Sequence, residues 1–272
     1  MKMNLTEIIS YPFFQNALAG IVIISIASAI IGTYIVSRRM VSITGGITHS
    51  CFGGLGLGYF FGVNPVLTAA MFAIAASLGV EVMSSRMKVR EDSAIAVVWA
   101  IGMAIGVIFV FATPGYVPEL NSFLFGNILT IGSGDLVSFV VYTLVLVGFF
   151  LWKYNQIVII AFDRDFAKVA GLPVIMVSTV MTVLVAVCIV LTIRLVGVML
   201  LVSMLCLPQL VAEVYCHRFK TIMLLSIVIS LAGSLAGLFI SAVTDIPCSA
   251  LIVGSLAIFY VMAKITGLCF RA

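Results

Sequence analysis

The sequence predicts an all-α polytopic membrane protein of about nine (eight to nine) transmembrane helices, with one short helix outside the bilayer. Three observations carry this. Hydrophobic residues make up 63% of the chain, charged residues only 9%, and the mean hydropathy is +1.31. A soluble chain of 272 residues could not cover that much apolar surface. Apolar runs near the 20-residue spanning length recur from end to end, and basic residues collect in alternate loops between them. The chain reads as a single transmembrane domain over 1–272.

The runs fall at about 16–37, 41–62, 65–84, 93–112, 136–152, 174–193, 195–214, 221–243 and 247–263. The second is the least apolar, and its glycines also suit a broken or re-entrant segment. Only Arg194 divides the sixth from the seventh, so the count is eight if those two are one. With nine spans, one set of alternate loops holds twelve of the fourteen Lys and Arg. The positive-inside rule makes that side cytoplasmic, with the amino terminus outside and the carboxyl terminus inside. A cleavable signal peptide is not expected, because Lys2, Glu7 and Pro12 precede a run long enough to span. The net charge of +4 follows from these topological markers, and no stretch resembles a nucleic-acid-binding patch. Six scattered cysteines form no CxxC pair, so neither a disulfide framework nor a structural zinc site is expected.

The stretch Arg38–Gly58, RRMVSITGGITHSCFGGLGLG, is the most unusual. As a helix it sets Gly45, His49 and Gly53 at i, i+4, i+8 spacing on one face. Gly45, Gly46 and Gly53 are the glycines expected to line a pathway there. In a membrane, small residues let backbones approach closely. A helix starting near Met40 places His49 about 13 Å in, close to the middle of a hydrocarbon core about 30 Å thick. Ionisable groups at that depth face a cavity or the bundle interior, and neutral imidazole is a good ligand for first-row metals. Two readings of His49 stand: a pathway ligand, which is preferred, or a histidine hydrogen-bonded across helices.

Beyond this stretch, Glu213 and His217 stand at i, i+4 near the end of the seventh span, with Cys216 beside them. A solvated helix end is the first reading, and an exit-side metal contact the second. Glu81, near the inner end of the third span, reads first as a structural residue able to pair with Arg86 or Arg90, and second as a functional one. Asp245 and Glu119, in outward loops, read as solvated residues or as cation attractors at the outer mouth. The loop AFDRDFAKVAGLPV predicts a short helix. Asp163 caps it, Asp165 lies in its first turn, Gly171 ends it and Pro173 prevents continuation. Phe166, Val169 and Ala170 give it an apolar side with Arg164 and Lys168 beside them. It is either an interfacial connector or a knob that another protein grips.

Six segments in order resemble the permease subunits of bacterial ATP-binding-cassette importers for zinc, manganese or related divalent metals. They are RRMVSITGGITHSCFGGLGLG, REDSAIAVVWAIGMAIGVIFV, LNSFLFGNILTI, AFDRDFAKVAGLP, VGVMLLVSMLCLPQLVA and TDIPCSALIVG. The resemblance covers nearly the whole chain and implies one transmembrane permease domain in the bacterial inner membrane. It further implies a homodimer around a central pathway, two cytosolic ATPase subunits that hold the ATP, and an extracytoplasmic binding protein that delivers the metal. Phe162–Leu172 would contain the coupling helix, with Asp163, Arg164, Asp165, Phe166, Lys168 and Gly171 at the ATPase. The metal would be cargo, with no permanently bound cofactor.

No Walker GxxxxGK[ST] motif is present and no catalytic constellation can be assembled, so the expected role is transport without catalysis. One departure matters: where the family commonly carries Asp four residues before the histidine, this chain has Gly45. A lone imidazole per subunit binds metal more weakly and carries one formal negative charge fewer. Zinc is slightly favoured over manganese as cargo. The rivals are an iron or iron-chelate permease and, from a different class, a self-sufficient secondary transporter or channel.

Overall fold

A computed structural model describes residues 11–114, 131–244 and 246–269. Among these residues nine helices follow in order: α1 (Pro12–Ser37), α2 (Val41–Phe61), α3 (Pro65–Ser85), α4 (Glu91–Ala112), α5 (Ser133–Phe162), α6 (Arg164–Val169), α7 (Val174–Tyr215), α8 (Phe219–Val243) and α9 (Cys248–Cys269). No strand occurs among the described residues. The ends are set by local chemistry. Prolines open α1 and α3, where a missing N–H costs nothing. The Asn64 side chain caps α3 by accepting from Val66 N at 3.0 Å. Glu91 and Asp92 lie in the first turn of α4, where the helix dipole favours them. Gly62, at φ +66°, closes α2 while Val63 N donates to Gly58 O.

Among the described residues eight segments are long and apolar enough to cross a membrane, the two arms of α7 included. The chain is a multi-pass membrane protein. The glycine-rich α2 falls short on hydropathy, but it is an unbroken helix of 21 residues, about 31 Å long. It is therefore a ninth segment of spanning length, and the broken or re-entrant form is not what the structure shows. Its polar and glycine residues are tolerated because thirteen of its positions are buried inside the bundle.

The 42-residue α7 settles the division of the sixth and seventh runs. Straight, it would reach about 63 Å, twice a hydrocarbon core. At Gly197 the backbone takes φ 77°, ψ 174°, a conformation open essentially to glycine alone. Near one end of α7, Ser178 Oγ donates to Glu81. Near the other, Glu213 shares a cavity with Ser37, Arg38 and Phe162. Arg38 and Glu81 both belong to one ion-pair cluster, so the two ends of α7 lie at the same end of the bundle and the chain reverses at Gly197. We call this the basic end.

Two apolar cores result. One joins α2–α5 and α7 with the half of α1 nearest the basic end. The other joins the opposite half of α1 with the second arm of α7, α8 and α9. Most of α1 and of both α7 arms is buried, whereas α4, α5 and α9 are largely exposed. The latter helices present their outer faces to lipid or to another chain.

Candidate functional site

Helix α2 is clamped between α3 and α4 by glycine on both sides. A Cβ at Gly54 would stand 2.5 Å from Thr68 O of α3, and one at Gly56 would stand 2.6 Å from Gly106 O of α4. From the facing side, a Cβ at Gly102 would meet Ser50 Cα at 2.5 Å. These are backbone-to-backbone approaches that only glycine permits. Gly53 lies against Gly102 and Phe72, and Gly46 against Ile95. The glycines expected to line a pathway, Gly45, Gly46 and Gly53, are therefore divided. Gly46 and Gly53 are buried packing positions, and Gly45 alone looks onto open space, with nothing within 4 Å of an added Cβ.

One helical turn from Gly45, His49 is half-buried. Its ring stacks on the Trp99 indole of α4, with centroids 4.7 Å apart and planes 2° from parallel. Trp99 is itself 41% exposed. No hydrogen bond of the His49 imidazole is formed among the described residues, so the cross-helix bond required by the alternative reading is not made there. Stacking covers a ring face and leaves the ring edge, where both nitrogens lie, for a ligand. Among the described residues no three His, Cys, Asp or Glu side chains converge in a way that could hold a metal ion. A metal at His49 would need ligands beyond those that the described residues bring together.

The second site is α6. Asp163 accepts from Asp165 N at 3.1 Å and from Phe166 N at 2.8 Å, as the sequence predicts for a cap. At the other end Gly171 takes φ +72° and Leu172 N donates to Ala167 O. Ala167 is the buried anchor, while Phe162, Phe166 and Val169 are exposed. Lys168 Nζ lies 2.8 Å from Asp165 Oδ1. This hydrogen bond and charge hold the Asp165 carboxyl below its ordinary range.

Arg164 departs from expectation. Expected beside the apolar side of the short helix, it turns inward, donating to Glu81 of α3 and lying 3.8 Å from Glu91 of α4. Glu91 in turn pairs with Arg38, at the end of α1, at 2.8 Å and accepts from Ser84. Glu81 therefore does not pair with Arg86 or Arg90. The nearest carboxylate to Arg90 is Asp92 at 3.9 Å, both well exposed. Desolvating Glu81 near Arg86 would gain little in that open loop, whereas Arg164 offers a planar fork inside the bundle.

Glu213 and His217 also differ from their spacing. Helix α7 ends at Tyr215 and Cys216 is extended, so the two do not share a helical face. They nevertheless border one cavity of about 680 Å³ at the basic end, together with Arg38, Arg39, Phe162 and Cys216. Asp245, Glu119 and most of the outward loop 113–135 lie outside the described residues. Sequence reasoning missed Trp99, whose only signal was an aromatic within an apolar run, and the partners of Arg164.

Comparison with known proteins fits this architecture. The ABC 3 transport family matches residues 10–267. The chain belongs to the ABC 3 transport family. Among its relatives, a Chlamydia pneumoniae chain described as a probable metal transport system membrane protein is 33% identical over 246 residues, covering 88% of this chain and 83% of the relative. The manganese transport system membrane protein MntC of Halalkalibacterium halodurans is 27% identical over 248 residues, covering 91% and 85%. Among solved structures, PsaBC from Streptococcus pneumoniae in complex with Fab superposes with a TM-score of 0.82 at 25% identity, covering 96% of this chain and 95% of that one. This ABC 3 family chain thus carries the family's fold over nearly its full length, and the resemblance read from six ordered segments is met.

Proposed function

We propose that this chain is the membrane-spanning permease subunit of an ATP-driven importer of divalent metal ions, and that two copies form the pathway. The observation that carries this reading is the family match over 10–267, joined by relatives described as metal and manganese transport proteins. In this reading the membrane is a bacterial inner membrane and the basic end faces the cytoplasm, which the bias of Lys and Arg toward alternate loops supports. Metal delivered by an extracytoplasmic binding protein enters between the copies and meets His49. Its imidazole edge, not covered by the stack on Trp99, offers transient coordination, which suits conduction because the ion must leave. Two copies would bring two imidazoles, and Gly45 leaves each without a neighbouring carboxylate. That donor set favours zinc over manganese on ligand softness, whereas the relatives' names favour manganese.

Energy comes from ATPase subunits on separate chains, seated on α6. The apolar residues Phe162, Phe166 and Val169, exposed on a charged surface, are the contact such a partner would cover. ATPase closure shifts α6, and the bundle opens toward the basic end, past the cavity bordered by Glu213 and His217. Metal-resolved uptake into vesicles holding this chain and its ATPase tests the reading. ATP-dependent accumulation of zinc or manganese is expected. Accumulation without ATP would replace the importer with a secondary carrier, and no accumulation of either metal would refute the assignment.

A further inference from the structure

The charge cluster at the basic end links α6 to the helix that carries the partner of His49. Arg164 of α6 reaches Glu81 of α3 and Glu91 of α4 with the two arms of one guanidinium. Arg38 closes the cluster on the far side of Glu91, and Ser178 donates to Glu81 at 2.9 Å. Two arginines and two glutamates make it formally neutral. Their side chains are sheltered: Arg38 is 7% exposed, Glu81 10%, Arg164 20% and Glu91 31%. Charges this sheltered are costly unless paired, and removing one partner strands another.

Glu91 is the first residue of α4, and Trp99 stands eight residues further along the same rigid helix, about 12 Å away. Trp99 stacks on His49, and the glycine contacts of Gly102 and Gly106 leave α4 no slack against α2. Apart from chain connectivity, α6 therefore has a direct ionic hold on α3 and α4, the two helices that clamp α2.

We infer that the Glu81–Arg164–Glu91 clasp is the positioning element that transmits displacement of α6 to α3 and α4, and through Trp99 to His49. This rests on the transport reading above. The guanidinium is suited to the task because its planar fork holds two carboxylates at fixed angles, which a lysine cannot do. With the clasp intact, α6 moves as one body with the inner ends of α3 and α4. With it broken, α6 keeps its short links to α5 and α7 and the buried Ala167, but no ionic hold on α3 and α4.

The test uses the assembled complex carrying Glu81→Gln, which keeps shape and hydrogen bonding but removes the charge, beside Ser178→Ala, which leaves the ion pair. Amide exchange over 163–172 is expected to quicken about tenfold in Glu81→Gln, and the amount of zinc or manganese taken up per ATP hydrolysed to fall about tenfold. Ser178→Ala should lie close to wild type in both. Should Glu81→Gln not assemble, Arg164→Lys, which keeps the charge but offers one point of contact, gives the same comparison. Unchanged exchange, or an unchanged ratio of metal moved to ATP hydrolysed, would overturn the inference. If the wild-type complex moves neither metal, the transport reading fails, and the exchange measurement still decides whether the clasp holds α6.

Discussion

Replacing Gly102 by alanine tests how tightly the histidine-bearing helix is held. The new Cβ would lie 2.5 Å from Ser50 Cα, 2.6 Å from Ser50 Cβ and 3.0 Å from Ser50 O. Carbon atoms rest about 3.5–4.0 Å apart, so α2 and α4 must separate by about 1 Å. Overpacking of this kind costs about 1–3 kcal/mol. Alanine also recovers about 1 kcal/mol of helix propensity over glycine, which blurs a comparison with wild type. Gly45→Ala removes the ambiguity: it is the same change in a helix, with nothing within 4 Å of the new Cβ. The difference between the two variants isolates the packing cost, about 1–3 kcal/mol. At about 2–4 °C per kcal/mol for a chain of this size, Gly102→Ala should melt about 2–12 °C below Gly45→Ala in detergent. Equal melting temperatures, or the reverse order, would refute the claim that α2 and α4 are in backbone contact.

Two further predictions follow from the turn and from the exposed face of α6. Gly197→Ala places a Cβ on a residue at φ 77°, ψ 174° and should destabilise the protein by about 1–3 kcal/mol; an unshifted thermal midpoint would show that the α7 reversal does not depend on glycine. Phe166→Asp removes an exposed aromatic from α6 and should weaken co-purification of the ATPase about tenfold or more, given the 1.5–3 kcal/mol of burying such a side chain; full retention of the complex would move the docking surface elsewhere.

What could be read from the sequence divides along the range of the interactions involved. The short helix of 163–171 was legible because its signals are local: Asp163 caps two residues away, and Gly171 supplies a positive φ that other residues resist. The spans were legible because hydropathy is additive along the chain. The inward turn of Arg164 was not, because its carboxylate lies 83 residues upstream and pairing is decided by packing. The glycines of α2 announced close packing, but spacing alone could not say which of them face α4. Gly45 and Gly53 are separated by about 80° on a helix, enough for one to be open and the other buried. The shared helical face of Glu213 and His217 was lost for a different reason: i, i+4 geometry holds only while the helix continues, and α7 stops at Tyr215. The side chain that covers His49 could not be anticipated, since nothing in the sequence sets Trp99 beside it.

The central claim is that the His49 edge touches the transported ion. It is tested most directly by measuring ATP-dependent zinc and manganese uptake into vesicles carrying the wild-type complex and its His49→Ala variant at equal amounts of assembled protein. The account predicts that uptake of the transported metal is abolished in the variant while the ATPase remains bound. Uptake equal to wild type would contradict it.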